Sequence, residues 1–202
     1  MKRNIFRLLL SAALMMCCTV GAYSASGDGS QNNPYLLANY DDLLWFAGQV
    51  NNQGRTDICA KLTADIDATG TWTPIGTLEK MYTGDFNGDG YTISELTLNN
   101  TEQSCVGLFG KVDSGSHIHH VGVTDCNFIG DTFVGAICGD FAAGSIEYCF
   151  CSGSVKAASD AAGGIVGSCY TNASIMYCHT SCSVSTNPGN YGGICGALYG
   201  TI

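Results

Sequence analysis

CVGLFG (105–110), VGAICG (134–139), AGGIVG (162–167) and YGGICG (191–196) decide how this chain folds. Their last glycines, Gly110, Gly139, Gly167 and Gly196, recur at a nearly constant interval. Ile118, Ile146 and Ile175 follow at the same interval, and IEYCFCSGSV (146–155) aligns with IMYCHTSCSV (175–184). A fixed period of this size means one supersecondary unit per repeat, each burying its apolar face against its neighbours. The interval, about 28 residues, suffices for a coil of three short strands with their turns. The repeat therefore predicts an all-β parallel β-helix (β-solenoid), with successive coils roughly 4.8 Å apart and like residues above like. An antiparallel sandwich gives no reason for identity at a fixed period, and a propeller blade needs about 40 residues or more.

Working outward, the period changes before the repeats. In YLLANYDDLLWFAGQVNNQG (35–54), Leu43, Phe46, Ala47 and Val50 fall at i, i+3, i+4 and i+7, the stripe of an amphipathic helix. Asn39 can cap it, Asp41 and Asp42 suit its positive end, and Gly54 stands where it should stop. Segment 35–54 is expected to be an N-terminal cap over the first coil. Residues 25–34, rich in Ser, Gly, Asn and Asp, are expected to be a flexible N-terminus, and 55–202 the β-helix, with regular repeats from about residue 105. Within 55–104, ICAKLTADIDA (58–68) and MYTGDFNGDGYTISELTL (81–98) read as short alternating strands, with a bend near Ser94-Glu95.

Segment 1–24 has a different purpose. Lys2, Arg3 and Arg7 precede the apolar run LLLSAALMMCCTVGA, and small residues follow, which is the order of a secretory signal peptide cleaved after Ser24 or Ser26. Lipoprotein anchoring through Cys17 or Cys18 is not expected, since Met16 precedes Cys17 where a small residue is wanted. Without the leader, five basic residues face 17 acidic ones, a net charge of −12. Such a surface repels phosphate backbones, which argues against nucleic acid as a partner. No second hydrophobic stretch predicts membrane insertion after cleavage, so the protein is expected to be secreted or held at the cell surface.

Ten cysteines remain after the leader. Cys138 and Cys195 share a repeat position with Phe109 and Val166, and Cys149 and Cys178 share one with Val121. Positions that accept Cys, Val or Phe behave as small apolar sites, so buried thiols are expected. Stacked pairs such as Cys149 and Cys178 remain able to oxidise.

These phrases resemble the GLUG-motif repeats of bacterial cell-surface and secreted proteins, whose consensus runs GL-V-G, a gap, I-x-N-C-Y, then G-x-V. The match lies in Gly107-Leu108-Phe109-Gly110, in Gly164-Ile165-Val166-Gly167 with Ile175-Met176-Tyr177-Cys178, and in Gly193-Ile194-Cys195-Gly196. NPYLL, DDLLWFA, KLTADID, WTPIGT and GDFNGDGYTISELTL resemble the segment that commonly precedes such repeats. The resemblance implies a right-handed parallel β-helix serving adhesion, or the stalk of a larger exported protein such as an IgA-specific metallopeptidase. Its motif is a structural repeat with no catalytic residue to transfer. The zinc-binding H-E-x-x-H helix of a metallopeptidase is absent from the sequence.

Three groups of residues could carry chemistry. Asp85, Asn87 and Asp89 open a D-x-N-x-D-G calcium loop, but its twelfth position is Leu96, so a Gly/Asn/Asp turn competes with a calcium site. His117 and His119 lie on one side of a strand at a spacing that can chelate a metal. With no third ligand nearby in sequence, they read as exposed strand histidines. His120, Tyr148 and Tyr177 share one repeat position and form a candidate partner-binding ladder, with half-buried packing as the competing role. His179, at the repeat position of Gly122 and Phe150, is expected to stack on neither.

The expected function is a non-catalytic, adhesin-like or scaffold module with no cofactor, meeting a host or cell-surface protein or glycan. The alternative is a polysaccharide-cleaving enzyme. That chemistry needs carboxylates facing across a cleft, and none of Asp113, Asp125, Asp131, Asp140, Glu147 and Asp160 recurs in register. The repeat breaks off at Ile202 where the next isoleucine-led strand would begin. An incomplete last coil is therefore expected, completed by end-to-end self-association or by chain beyond Ile202.

Overall fold

The structure, a computed structural model, describes residues 25–199. The leader assigned to 1–24 and the end of the chain at Ile202 lie outside the described residues.

The chain winds into a parallel β-solenoid of about six turns, with three strand-bearing faces. The first face stacks Tyr35–Leu37, Ala60–Leu62, Asp85–Asn87, His117–His119, Cys138–Glu147, Val166–Met176 and Cys195–Tyr199, with Phe109–Val112 beside Cys138–Glu147. The second stacks Ile66–Asp67, Thr92–Ser94, Gly122–Gly130, Phe150–Ala157 and His179–Thr180, joined by Thr97–Asn99 and Ser183–Thr186. Val134–Gly135, Ala161–Gly163 and Asn190–Gly192 make the narrow third face. Each coil pairs in parallel with the next, so residues far apart in sequence become neighbours.

The register is the one the repeat dictates. Phe86, Ile118, Ile146 and Ile175 lie over one another on the first face. Phe109, Cys138, Val166 and Cys195 form a second inward column. Phe86, Ile118 and Ile146 are wholly buried, and each such side chain removed from water stabilises the stack by about 1.5–3 kcal/mol. Seven cysteines, Cys59 through Cys169, are buried as free thiols, as expected, while Cys178, Cys182 and Cys195 are only half-buried.

The glycine phrases lie where backbones touch. A Cβ on Gly139 would fall 2.4 Å from the Cys105 carbonyl carbon and the Val106 nitrogen, and one on Gly167 would meet Phe133 and Val134 at the same distance. Those contacts lie far inside van der Waals range, so only glycine lets this corner close against the coil below.

The front is closed by helix Tyr40–Asn51. Asn39 caps it by accepting the Asp42 amide, one of the helix's unsatisfied donors, at 3.0 Å, while the Asp42 carboxylate accepts the amide of Ala38, just before the cap, at 2.8 Å. At the other end Lys80 Nζ donates to the Asn51 and Asn52 carbonyls at 2.7 and 3.0 Å, placing a cation on the negative end of the macrodipole. Leu43, Phe46, Ala47 and Val50 are buried, and Phe46 packs on Tyr82 and Phe86 with ring centroids 6.1 and 6.0 Å apart. Among the described residues no helix is long and apolar enough to cross a membrane.

Residues 25–34, expected to hang free, instead fold back on the first coil. Ser26 bridges Leu36 in antiparallel fashion, the Leu36 amide donates to the Ser26 carbonyl at 2.8 Å, and Cys59 donates to Gly29 at 2.8 Å. The composition suggests flexibility, but an exposed strand edge offers unpaired backbone groups that this short antiparallel segment satisfies.

Candidate functional site

Alternation on the first face sends Phe86, Ile118 and Ile146 inward and their neighbours outward. Parallel pairing then aligns Asp85 with His117 and Ser145, and Asn87 with His119 and Glu147. The result is a cluster on the outer surface next to the corner between the first and second faces. His117 Nδ1 lies 2.9 Å from Asp85 Oδ1, and His119 Nε2 lies 3.4 Å from the same oxygen. The two imidazoles stack with centroids 4.1 Å apart and planes 15° apart. Glu147 Oε1 stands 3.8 Å from His117 Nε2, and His119 Nδ1 lies 2.8 Å from His120 Nδ1.

Burial pushes the Asp85 carboxyl up. Hydrogen bonding to His119 and His117, and their charge, outweighs it and holds Asp85 below the usual carboxylate range. With Asp85 ionised, both nitrogens facing it carry protons; in a neutral His119 ring, Nδ1 then accepts from His120 Nδ1–H. All three groups, Asp85, His117 and His119, are partly buried, and their ligand atoms lie within 4.8 Å of one another. They are the one such group of three or more found among the described residues. The histidines are partly buried, and the preceding coil brings a carboxylate, Asp85, 32 positions upstream of His117, within hydrogen-bond distance of that ring.

The calcium triplet is not brought to one point. Asp85 faces the histidines, Asn87 Oδ1 accepts the Asp89 amide at 2.8 Å, and Asp89 Oδ2 pairs with Lys61 Nζ at 3.0 Å. Asp89 and Gly90 have φ of 51° and 89°, so the segment turns between Asp85–Asn87 and Thr92–Ser94.

His120, Tyr148 and Tyr177 do come together. His120 stacks on Tyr148 at 4.8 Å and 18°, and Tyr148 on Tyr177 at 4.8 Å and 13°. All three have left-handed backbones, with φ of 54°, 52° and 54°. Tyr148 is 48 % exposed and Tyr177 72 %. The ladder begins at the Asp85–His117–His119 cluster, since His120 contacts both His119 and Tyr148. Around the corner, Phe150 stacks on His179 at 5.4 Å and 9°, contrary to the expectation for His179. Gly122, at the same position one coil below, has no side chain and leaves room for the Phe150 ring.

Sequence reasoning also missed a polar column. Lys111, Asp140 and Ser168 are aligned on successive coils; Lys111 Nζ lies 2.7 Å and Ser168 Oγ 2.8 Å from the Asp140 carboxylate, which is 3 % exposed. Only the repeat period, applied to outward positions as well as inward ones, could have found it. A groove lined by Asn51, Pro74, Glu79, Lys80 and Gln103 contains one carboxylate, Glu79, and its lysine is engaged by the helix end.

No family model matches the chain. It is 32 % identical over 167 residues to halomucin of Haloquadratum walsbyi, a match that covers 74 % of this chain and 2 % of halomucin. It is 33 % identical over 105 residues to a protein of Evansella cellulosilytica described as a Gly-rich membrane protein, covering 50 % of this chain and 12 % of that one. The chain thus spans a small part of the length of the curated relatives it matches. Among solved structures it is similar to a protein of Bacteroides ovatus described as an immunoglobulin A1 protease, with a TM-score of 0.66 and 19 % identity over 85 % of this chain and 64 % of that one. At that identity the likeness is one of fold.

Proposed function

We propose that this chain is a non-catalytic β-solenoid module of an exported, surface-located protein, and that the His120–Tyr148–Tyr177 ladder meets its partner, a cell-surface glycan or protein. The observation that carries this reading is the ladder itself. Tyrosines 48 % and 72 % exposed occupy left-handed backbone positions where asparagine is sterically cheaper. Rings in that conformation stack on one another at one per coil, offering a row of ring edges and hydroxyls with an apolar body and a polar tip, the chemistry enriched at binding surfaces.

Export is supported by the basic-apolar-small order of residues 1–24 and by the names of the two curated relatives, halomucin and a Gly-rich membrane protein. The small share of those relatives that the chain spans supports a second reading, in which it serves as one segment of a longer exported stalk.

Labelled protein tested on a glycan array and on whole cells separates the readings. Binding that falls at least about tenfold in the Tyr148→Asn/Tyr177→Asn double variant supports the ladder as the contact surface, since central interface aromatics cost about 2 kcal/mol or more when removed. Binding unchanged by the double variant removes the ladder from the function. Shortened or unsaturated products from a polysaccharide panel would establish the enzymatic alternative instead.

A further inference from the structure

We propose that Asp85, His117 and His119 bind one divalent transition-metal ion, which clamps two consecutive coils of the solenoid together. The donor set is two imidazoles and one carboxylate, a combination suited to zinc, iron, cobalt and nickel rather than to calcium. Separations agree with a common centre. Ligands about 2.0–2.1 Å from a tetrahedral metal lie about 3.3–3.4 Å from one another, and Asp85 Oδ1 lies 2.9 and 3.4 Å from the two facing nitrogens.

What surrounds these ligands fits the same role. A metal-bound imidazole ordinarily gives its other N–H to a carboxylate, carbonyl or similar acceptor, which fixes the ring. With the metal on His117 Nδ1, the proton resides on Nε2 and faces Glu147 Oε1 at 3.8 Å. With the metal on His119 Nε2, the Nδ1–H donates to His120 Nδ1 at 2.8 Å, and the His120 proton resides on Nε2. Where the rings are neutral both changes are tautomer shifts through solvent, and a ring that starts as imidazolium gives its extra proton to solvent when the metal binds. The site is held rather than loose: Phe86 and Ile118, between or beside the ligands on the two strands, are wholly buried, and the backbones are paired in register. It is also reachable, the side chains of His117 and Asp85 being 41 % and 30 % exposed, in a protein whose excess of carboxylates draws cations to its surface. This site is independent of the ladder's role in partner binding, although His120 belongs to both.

The test is a zinc titration of the full chain by calorimetry, with cobalt substituted for its visible spectrum. One ion per chain is expected, with a melting temperature that rises with zinc concentration because only the folded stack brings the ligands together. Asp85→Asn, His117→Gln and His119→Gln should each weaken binding by more than about tenfold, and His120→Ala by about tenfold as an outer partner. The cobalt complex should show no sulfur-to-metal charge-transfer band, and Cys178→Ser and Cys182→Ser should leave affinity unchanged. Independently of any variant that fails to fold, zinc should shift the ring resonances of His117 and His119 in the wild-type protein and leave His179 in place. Absence of binding, undiminished affinity in the three ligand variants, a charge-transfer band lost in the cysteine variants, or unmoved His117 and His119 resonances would each overturn the site.

Discussion

At Tyr177 two opposing residue-scale terms can be weighed. Its φ of 54° costs on the order of 1 kcal/mol for a residue with a bulky Cβ substituent, and its single described ring partner, Tyr148, returns about 0.5–1.5 kcal/mol. Tyr177→Asn should therefore leave urea-unfolding stability within about 1 kcal/mol of wild type, since asparagine relieves the backbone as the stack is lost. Tyr148 stacks on both sides, so Tyr148→Asn should cost about 1 kcal/mol more than Tyr177→Asn. Equal, large losses from both would mean that the rings hold the corner together, and that their exposure is incidental to binding. The alignment of these three rings was legible in the sequence, because each follows its isoleucine by two positions. The left-handed backbone beneath them was not, because tyrosine and histidine carry no strong signal for it. Nor was the carboxylate that joins the histidine pair. His117 and His119 announce a strand face by their spacing. Asp85 belongs to a less regular coil, 32 positions upstream of His117, where the repeat period is not yet established.

Among the strands, the column Lys111–Asp140–Ser168 shows what stacking does to polar residues. Asp140 is 2 % exposed, and its carboxylate is satisfied from below by Lys111 at 2.7 Å and from above by Ser168 at 2.8 Å. Removing the cation leaves a buried carboxylate with one neutral donor. Lys111→Met should destabilise the protein by about 3–5 kcal/mol in urea unfolding, and the Lys111→Met/Asp140→Leu double variant should recover much of that loss. A loss below about 1 kcal/mol for Lys111→Met would show that water reaches Asp140 and that the column is a surface pair. Inward columns declare themselves by apolar identity at a fixed period. This polar one presents three different side chains, and only their alignment makes them a unit. The segment 25–34 defeats a reading by composition for a related reason: a polar, glycine-rich stretch looks unstructured, yet the unpaired edge of Tyr35–Leu37 gives its backbone donors and acceptors a place to bind.

Over the whole molecule, stability is distributed as in a one-dimensional stack, where each coil is held by its neighbours and by whatever covers the ends. The front is closed by helix Tyr40–Asn51 with Phe46 fully buried on the aromatic cluster of Tyr82, Phe86 and Phe109. Coils near Ile118 and Ile146 have neighbours on both sides, and their inward residues are wholly buried. In the last described coil Ile194, Leu198 and Tyr199 are 38 %, 45 % and 44 % exposed, while Ile165 and Val166 one coil below are fully covered. Amide exchange should follow this gradient, slowest in Gly122–Gly130 and Cys138–Glu147 and fastest in Asn190–Gly192 and Cys195–Tyr199. Phe46→Ala, which removes about 3–5 kcal/mol of packing from the front, should speed exchange in Ala60–Leu62 and Asp85–Asn87 while leaving Val166–Met176 unchanged. Uniform acceleration along the whole chain would mean that the solenoid opens in one cooperative step, so that the front helix and the coil of Cys195–Tyr199 belong to a single unit.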